Sequence, residues 1–308
     1  MTGHPRLLQA ARAGFLLAVA AATYLAFRGH GDDVATAVRA TPVPAVGLAA
    51  LLVLAGLVTT SVAWLRVLGG FGHRLTGREG RAVFFLGQLG KYVPGGVWSI
   101  GAHAHLAGAH AVPARVTAST SLVFLGLNVA TSALVVGAST AAGSADTPWP
   151  RWVGPLVVLA GLVALLPPVV NRLAGAVAGR SGCLRLRPLE VVRLAGLLLV
   201  TWGCYAAAVV VITPEPSWSL LGLTAVAFAL SYAVGVAVVV APAGVGAREV
   251  TLVALLAPTI GVGPAGAVAI LTRLLHTGAD LVLALVMWLA ARSRRTARTV
   301  RVPSDAQA

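Results

Sequence analysis

Arg273, His276 and Asp280 stand at i, i+3 and i+7 of a long and otherwise apolar stretch. In a helix those spacings place all three on one face over two turns. A cation, a titratable ring and a carboxylate on one strip could bind an anion, and His276 with Asp280 could relay protons. Lys91, in Gly90-Lys91-Tyr92-Val93-Pro94-Gly95-Gly96, and the pair Arg248-Glu249, after Ala241-Pro242-Ala243-Gly244-Val245-Gly246-Ala247, also sit among apolar surroundings. An ionisable group at membrane depth costs roughly 3 kcal/mol on insertion scales, so each of these needs a partner or a purpose. Lys91, Arg248 and Arg273 would attract an anionic group such as a lipid phosphate. Backbone amides at Gly95 and Gly96, if they open a half-helix, would add donors to the same anion. The alternative is an internal network in which Arg273 or Arg248 pairs with Asp280 or Glu249, and the two readings are compatible.

The elements that must position these residues are membrane spans. Of the 308 residues 58% are hydrophobic and 10% charged, with mean hydropathy +0.88, against about 25% charged in an ordinary soluble domain. Apolar runs of spanning length lie near residues 11–28, 45–65, 117–140, 152–170, 190–212, 219–240 and 264–290. The first could be read as a secretory signal, but a retained signal anchor fits a chain whose remainder is also membrane-embedded. The fold expected is an all-α, polytopic helical bundle.

Net charge is +14, which on a soluble chain would suggest nucleic acid. Here the arginines sit in short connectors, and no aromatic residues are interleaved with them to stack bases, so nucleic-acid binding is not expected. Arg6 and Arg12, the group Arg66, Arg74, Arg78 and Arg81, Arg115, the group Arg172 to Arg193, and the tail Arg292 to Arg301 all fall on one side. The opposite connectors hold Arg28, Arg39 and Arg151 together with Asp32, Asp33, Asp146 and Glu215. Basic residues near span ends stay in the cytoplasm, so both termini are expected there. An even number of crossings then asks the short segment 249–262 to cross as well, making about eight.

Residues 82–110 fit no span. An apolar start runs into Pro94 and the surrounding glycines, which break a helix, and the segment reads as a re-entrant hairpin on the cytoplasmic side. Irregular backbone at that depth is tolerated where it is buried in protein or lines a wet cavity. A second broken element covers about 241–262, and one break in each half is a pattern of transporters built from internal repeats. Two ordinary glycine-rich loops would give the same spacing. Residues 1–295 thus read as one transmembrane domain and 296–308 as a disordered cytoplasmic tail.

Other candidates are weaker. His103, His105 and His110 form a loose cluster with no carboxylate or cysteine nearby, and Cys183 and Cys204 have no metal or redox spacing. Trp98, Trp149, Trp152, Trp218 and Trp288 fall near span ends, where indole rings anchor at the headgroup level. No nucleophile-elbow, zincin, Walker or dinucleotide fingerprint occurs in a believable context, so neither a cofactor nor catalysis is expected. A membrane-embedded transferase using His276 and Asp280 as acid and base would need a donor-binding feature that the sequence does not offer.

The run Gly87-Gln88-Leu89-Gly90-Lys91-Tyr92-Val93-Pro94-Gly95-Gly96-Val97-Trp98, with Pro242-Ala243-Gly244-Val245-Gly246-Ala247-Arg248-Glu249 far downstream, resembles the transmembrane region of bacterial lysylphosphatidylglycerol synthases, the flippase-like integral membrane proteins. The likeness of layout extends over about residues 10–295. It implies a bundle with re-entrant elements that carries aminoacylated phosphatidylglycerol from the inner to the outer leaflet. Such relatives also have a large soluble synthase domain. This chain ends at Ala308, shortly after its last apolar run, so aminoacyl transfer is not expected of it. His103 and His105 stand where many members carry arginine, which leaves headgroup specificity open.

The expectation is therefore a flippase-like transporter of a polar, anionic or aminoacylated lipid or lipid-linked glycan in a bacterial plasma membrane. Lys91, Tyr92, Pro94, Gly95, Gly96, Arg248, Glu249 and Arg273 would line its path, with His276 and Asp280 as a proton relay. The alternative is a noncatalytic membrane subunit that supports a cell-envelope enzyme.

Overall fold

The computed structural model describes residues 29, 31–93, 98–145, 147–179, 184–238 and 241–299, with side chains up to Arg292. The expected first span 11–28, Pro94 to Val97, Asp146, Arg180 to Cys183 and the end of the tail lie outside these described residues. Every regular element among them is helical.

A short helix α1 (Gly31–Ala40) leads into α2 (Val43–Gly70). Helix α3 (Gly77–Gln88), a 3-10 turn (Leu89–Tyr92) and α4 (Trp98–Gly108) form the first broken element, followed by α5 (Ala114–Ala142). Then come α6 (Val153–Ala164), α7 (Pro167–Ala178) and α8 (Pro188–Val211). The second broken element is α9 (Leu221–Ala237), a 3-10 turn (Pro242–Gly244) and α10 (Ala247–Ile260), and α11 (Val262–Thr299) closes the chain. Helix α11 therefore carries the first residues of the 296–308 segment expected to be a disordered tail.

Among the described residues six helical segments are long and apolar enough to cross a membrane, and the pair α6–α7 makes a seventh if counted as one bent span. The straight span expected over 152–170 is thus corrected. The chain bends by 56° between α6 and α7 and runs on to Ala178. The cause is local: Leu166, at ψ 129°, is driven from the helical region by Pro167 behind it.

The bundle is inverted relative to a soluble protein. Leu51 and Val192 are 64% and 66% exposed, while Ser61, Thr117, Ser119, Thr131 and Ser231 are buried. Most of these hydroxyls bond carbonyls of their own helix, such as Ser61 to Val58 and Thr131 to Leu127, which is how polar side chains are accommodated away from water. An exposed apolar shell around polar helix contacts requires lipid as the outer solvent, and the chain is a multi-pass membrane protein.

The two halves pair in an exchanged pattern. Helix α3 of the first broken element packs on α11, and α9 of the second packs on α5. Helix α2 packs on α8, α1 on α11 and α7 on α5. These are the contacts expected of two equivalent units that each run short helix, long helix, broken pair, long helix. The repeat invisible in residue identities is present in the helix pairings, and it brings the two breaks into contact with each other. Close approach between α2 and α8 uses Gly56, where a Cβ would overlap the Tyr205 ring, and the Thr59 and Thr201 hydroxyls bond there at 2.6 Å.

Candidate functional site

The first break is shaped by its glycines. A Cβ at Gly87 would overlap the His103 imidazole, and one at Gly90 would lie 2.6 Å from the Ser99 amide nitrogen. Small residues here let α4 fold back against α3. His103 is a core residue: Nε2 donates to the Phe84 carbonyl at 3.0 Å, Nδ1 faces Ser121 Oγ at 3.3 Å, and the ring packs against both Trp64 and Phe84. The turn thereby delivers Lys91 and Tyr92 to α11. Lys91 Nζ lies 2.6 Å from Asp280 Oδ2, and the Tyr92 hydroxyl donates to the same oxygen at 2.7 Å.

The second break is held by backbone conformation. Ala243 has φ +49°, a left-handed setting unusual for a residue with a Cβ, and Gly244 and Gly246 follow at φ +69° and +82°. This sequence of turns aims the Ala243 carbonyl at Arg273, whose Nη1 donates to it at 3.0 Å. Glu249, in the first turn of α10, folds back so that Oε2 accepts the Gly246 amide at 2.6 Å. Its Oε1 lies 3.4 Å from Arg273 Nη1. One carboxylate therefore caps α10 and ties it to α11.

Arg248 has a different setting. Its aliphatic stem runs over Gly235, where a Cβ would be 2.5 Å from Cγ, and beside Gly244. The guanidinium sits over the Phe228 and Tyr232 rings at 5.5 and 5.7 Å, a favourable cation–π arrangement. Among the described residues no carboxylate lies within ion-pair distance of it.

Lys91, Tyr92, Ala243, Arg248, Glu249, Arg273 and Asp280 line one small, partly open recess bounded by the two breaks, α10 and α11. Its depth follows from α11. Asp280 precedes Arg292, the first arginine beyond the apolar run, by roughly 18 Å of helix at about 1.5 Å per residue. That is somewhat more than half of a hydrocarbon core about 30 Å thick, so on that measure Asp280 lies near mid-depth, while Thr272, about two turns earlier, lies toward the opposite end of the span. Lys91, Arg248 and Arg273 face Glu249 and Asp280 across it, leaving one positive charge in excess.

No family model matches this chain, and no curated protein matches it either. What the site can do is therefore argued from its own groups. The structure brings together Lys91, Tyr92, Arg248, Glu249, Arg273, His276 and Asp280, whereas Pro94, Gly95 and Gly96 lie outside the described residues. The alternative of internal pairing is realised in part as expected: Arg273 takes Glu249, whereas Asp280 is taken by Lys91 and Arg248 lies over aromatic faces. The relay between His276 and Asp280 is not formed. His276 Nδ1 donates back to the Thr272 carbonyl at 2.8 Å, turning the ring toward Tyr205 and Phe228, and Asp280 is held by Lys91 and Tyr92 instead. His103, His105 and His110 do not converge either, because the His103 ring points into the core. Among the described residues no group of three or more His, Cys, Asp or Glu side chains comes together.

Sequence reasoning missed Thr272, Ala243, Tyr205, Phe228 and Tyr232. Thr272 was legible in principle, since 272, 276 and 280 share a face at i, i+4 and i+8. The aromatic residues lie in uniformly apolar runs, which carry no such signal.

Proposed function

We propose that this chain is a flippase-like transporter that moves a polar lipid, or a lipid-linked glycan, between leaflets of a bacterial plasma membrane, with both termini cytoplasmic. One observation carries the reading: two helix breaks from opposite halves meet inside the apolar bundle around a recess with charged walls. A bundle that needed only to be stable would not set five charges there, because burying ions costs more than burying apolar residues of similar volume. Broken helices facing each other at the interface of two repeats provide polar backbone and a place where either half can move against the other. The likeness of the Gly90 to Gly96 and Pro242 to Glu249 segments to flippase-like proteins supports the same substrate class. The groups present bind and guide a headgroup, and no catalytic role is assigned to them.

The test is leaflet-resolved lipid movement in proteoliposomes, with phosphatidylglycerol-type and polyisoprenyl-type fluorescent lipids in parallel. The native protein should move at least one, and Lys91→Gln and Asp280→Asn should each lower the rate at least 10-fold at equal membrane abundance. Well-folded native protein that moves neither lipid would transfer the assignment to a noncatalytic subunit of a cell-envelope complex, for which the ion pairs are structural.

A further inference from the structure

We infer that the recess is built for a monoanionic headgroup carrying hydroxyl donors, as in a phosphodiester flanked by a polyol, with Arg248 holding the anion and Thr272, His276 and Asp280 reading the hydroxyls. The inference rests on the transport reading for its setting and on unpartnered polar atoms for its content.

Three side-chain atoms on one face of α11 are buried without a hydrogen-bond partner: Thr272 Oγ1, His276 Nε2 and Asp280 Oδ1. Thr272 and Asp280 are 5% and 1% exposed, and all three residues line the recess. Buried polar groups are normally satisfied, so three on one strip point to something that bonds them. Their chemistry says what it must offer. The Thr272 carbonyl can only accept, so His276 Nδ1 carries the ring proton, and Nε2 of the neutral ring presents a lone pair. Asp280 Oδ1 is a carboxylate oxygen whose twin already takes Lys91 and Tyr92. Both therefore call for donors, and Thr272 can supply or receive a proton beside them.

The opposite wall calls for an acceptor. The Arg248 guanidinium makes no hydrogen bond to another described residue, and it supplies the one positive charge left after the two ion pairs. A single negative charge neutralises the recess; a headgroup with net positive charge would add to its excess. Donors without charge, alongside one anionic oxygen group, satisfy both walls at once, and hydroxyls on a phosphodiester meet that description.

The experiment measures binding to the full-length protein in nanodiscs of zwitterionic lipid by calorimetric titration, with three soluble probes. Glycerophosphoglycerol carries the anion and the hydroxyls, dimethyl phosphate the anion alone, and glycerol the hydroxyls alone. Glycerophosphoglycerol should bind at least 10-fold more tightly than either of the others. Thr272→Val, a near-isosteric change that removes an unpartnered group and so leaves folding intact, should bring its affinity down to that of dimethyl phosphate and leave dimethyl phosphate unchanged. Arg248→Gln should weaken both anions. Equal affinity for the two anions, or a Thr272→Val effect of the same size on both, overturns the inference. Competition by phosphatidylglycerol added to the nanodiscs would place the headgroup on a lipid, and its absence would place it on a soluble diester; the hydroxyl preference stands in either case. Lipid movement without that preference refutes the inference and leaves the transport reading, while the preference without movement does the reverse.

Discussion

The Tyr92 hydroxyl and the Asp280 carboxylate, 188 residues apart in the chain, meet at 2.7 Å, and Lys91 Nζ shares the same oxygen at 2.6 Å. The tip of the first broken element is thus fixed to the middle of α11 by one buried carboxylate. Arg273, two turns earlier on α11, fixes the second break through Glu249 and the Ala243 carbonyl. Helix α11 presents a cation to one break and an anion to the other; the contact with Lys91 and Tyr92 joins the two halves, and the contact with Glu249 lies within the second half.

Removing one partner from the first clamp should cost more than removing both. Lys91→Met leaves Asp280 charged and buried with Tyr92 alone, a loss of about 3 kcal/mol for an uncompensated ion of this kind. Lys91→Met with Asp280→Asn removes the charge as well and should recover more than half of that loss, read as unfolding midpoints in detergent. Lipid movement should stay abolished in the double variant. Recovery of movement together with stability would make the pair structural and no part of the path.

Gly235→Ala tests the seating of Arg248. The added methyl would fall 2.5 Å from Arg248 Cγ and 2.8 Å from Cδ, in mid-stem, where the side chain cannot yield by moving its tip alone. The guanidinium should leave the Phe228 and Tyr232 faces. The expected result is a loss of headgroup binding of about 10-fold, equivalent to about 1.4 kcal/mol, with unfolding shifted far less than by Lys91→Met.

How much of this was legible in the sequence depends on the kind of residue. Lys91, Arg248, Glu249, Arg273, His276 and Asp280 were found because a charge in an apolar run is costly and so conspicuous, and the structure gathers all six. Their pairing was legible only in part: Arg273 with Glu249 was among the expected pairs, but that Lys91 would take Asp280 depends on how the two breaks dock. Helix α2 and helix α8 followed from apolar length alone, whereas the bend at Leu166 was written in Pro167 and Pro168 and overridden by counting hydrophobicity. Thr272 was hidden because threonine in a membrane helix normally bonds its own backbone, as Thr131 does, and only coordinates show where it fails to.

Ala243 should respond to substitution in a direction set by its backbone. A left-handed setting costs a residue with a Cβ roughly 1–2 kcal/mol relative to the right-handed one, a penalty glycine escapes while losing somewhat more chain entropy. Ala243→Gly should therefore change stability by less than about 1 kcal/mol and keep the bond to Arg273. Ala243→Val puts a branched Cβ at φ +49° and should cost about 2 kcal/mol or more, with the second break released from α11. Equal tolerance of glycine and valine would show that the turn is not held in this conformation.

The position of the second break decides how many times the chain crosses the membrane. Helix α10 by itself rises about 21 Å at 1.5 Å per residue, short of the roughly 30 Å of hydrocarbon, whereas with the preceding turn the stretch Pro242–Ile260 is long and apolar enough to cross. If α9 and α10 enter and leave on the outer face, mirroring the hairpin expected on the inner one, the proposed cytoplasmic placement of both termini is unchanged. In a background carrying Cys183→Ser and Cys204→Ser, Arg78→Cys should react with an impermeant maleimide from the cytoplasmic side and Ser217→Cys from the outside. Val245→Cys, next to the break and exposed on the apolar surface, should be shielded by lipid from the bulky impermeant reagent on both sides. Labelling of Val245→Cys from the cytoplasm alone, as fast as Arg78→Cys, would mean that 249–262 crosses fully and that the two broken elements are not equivalent.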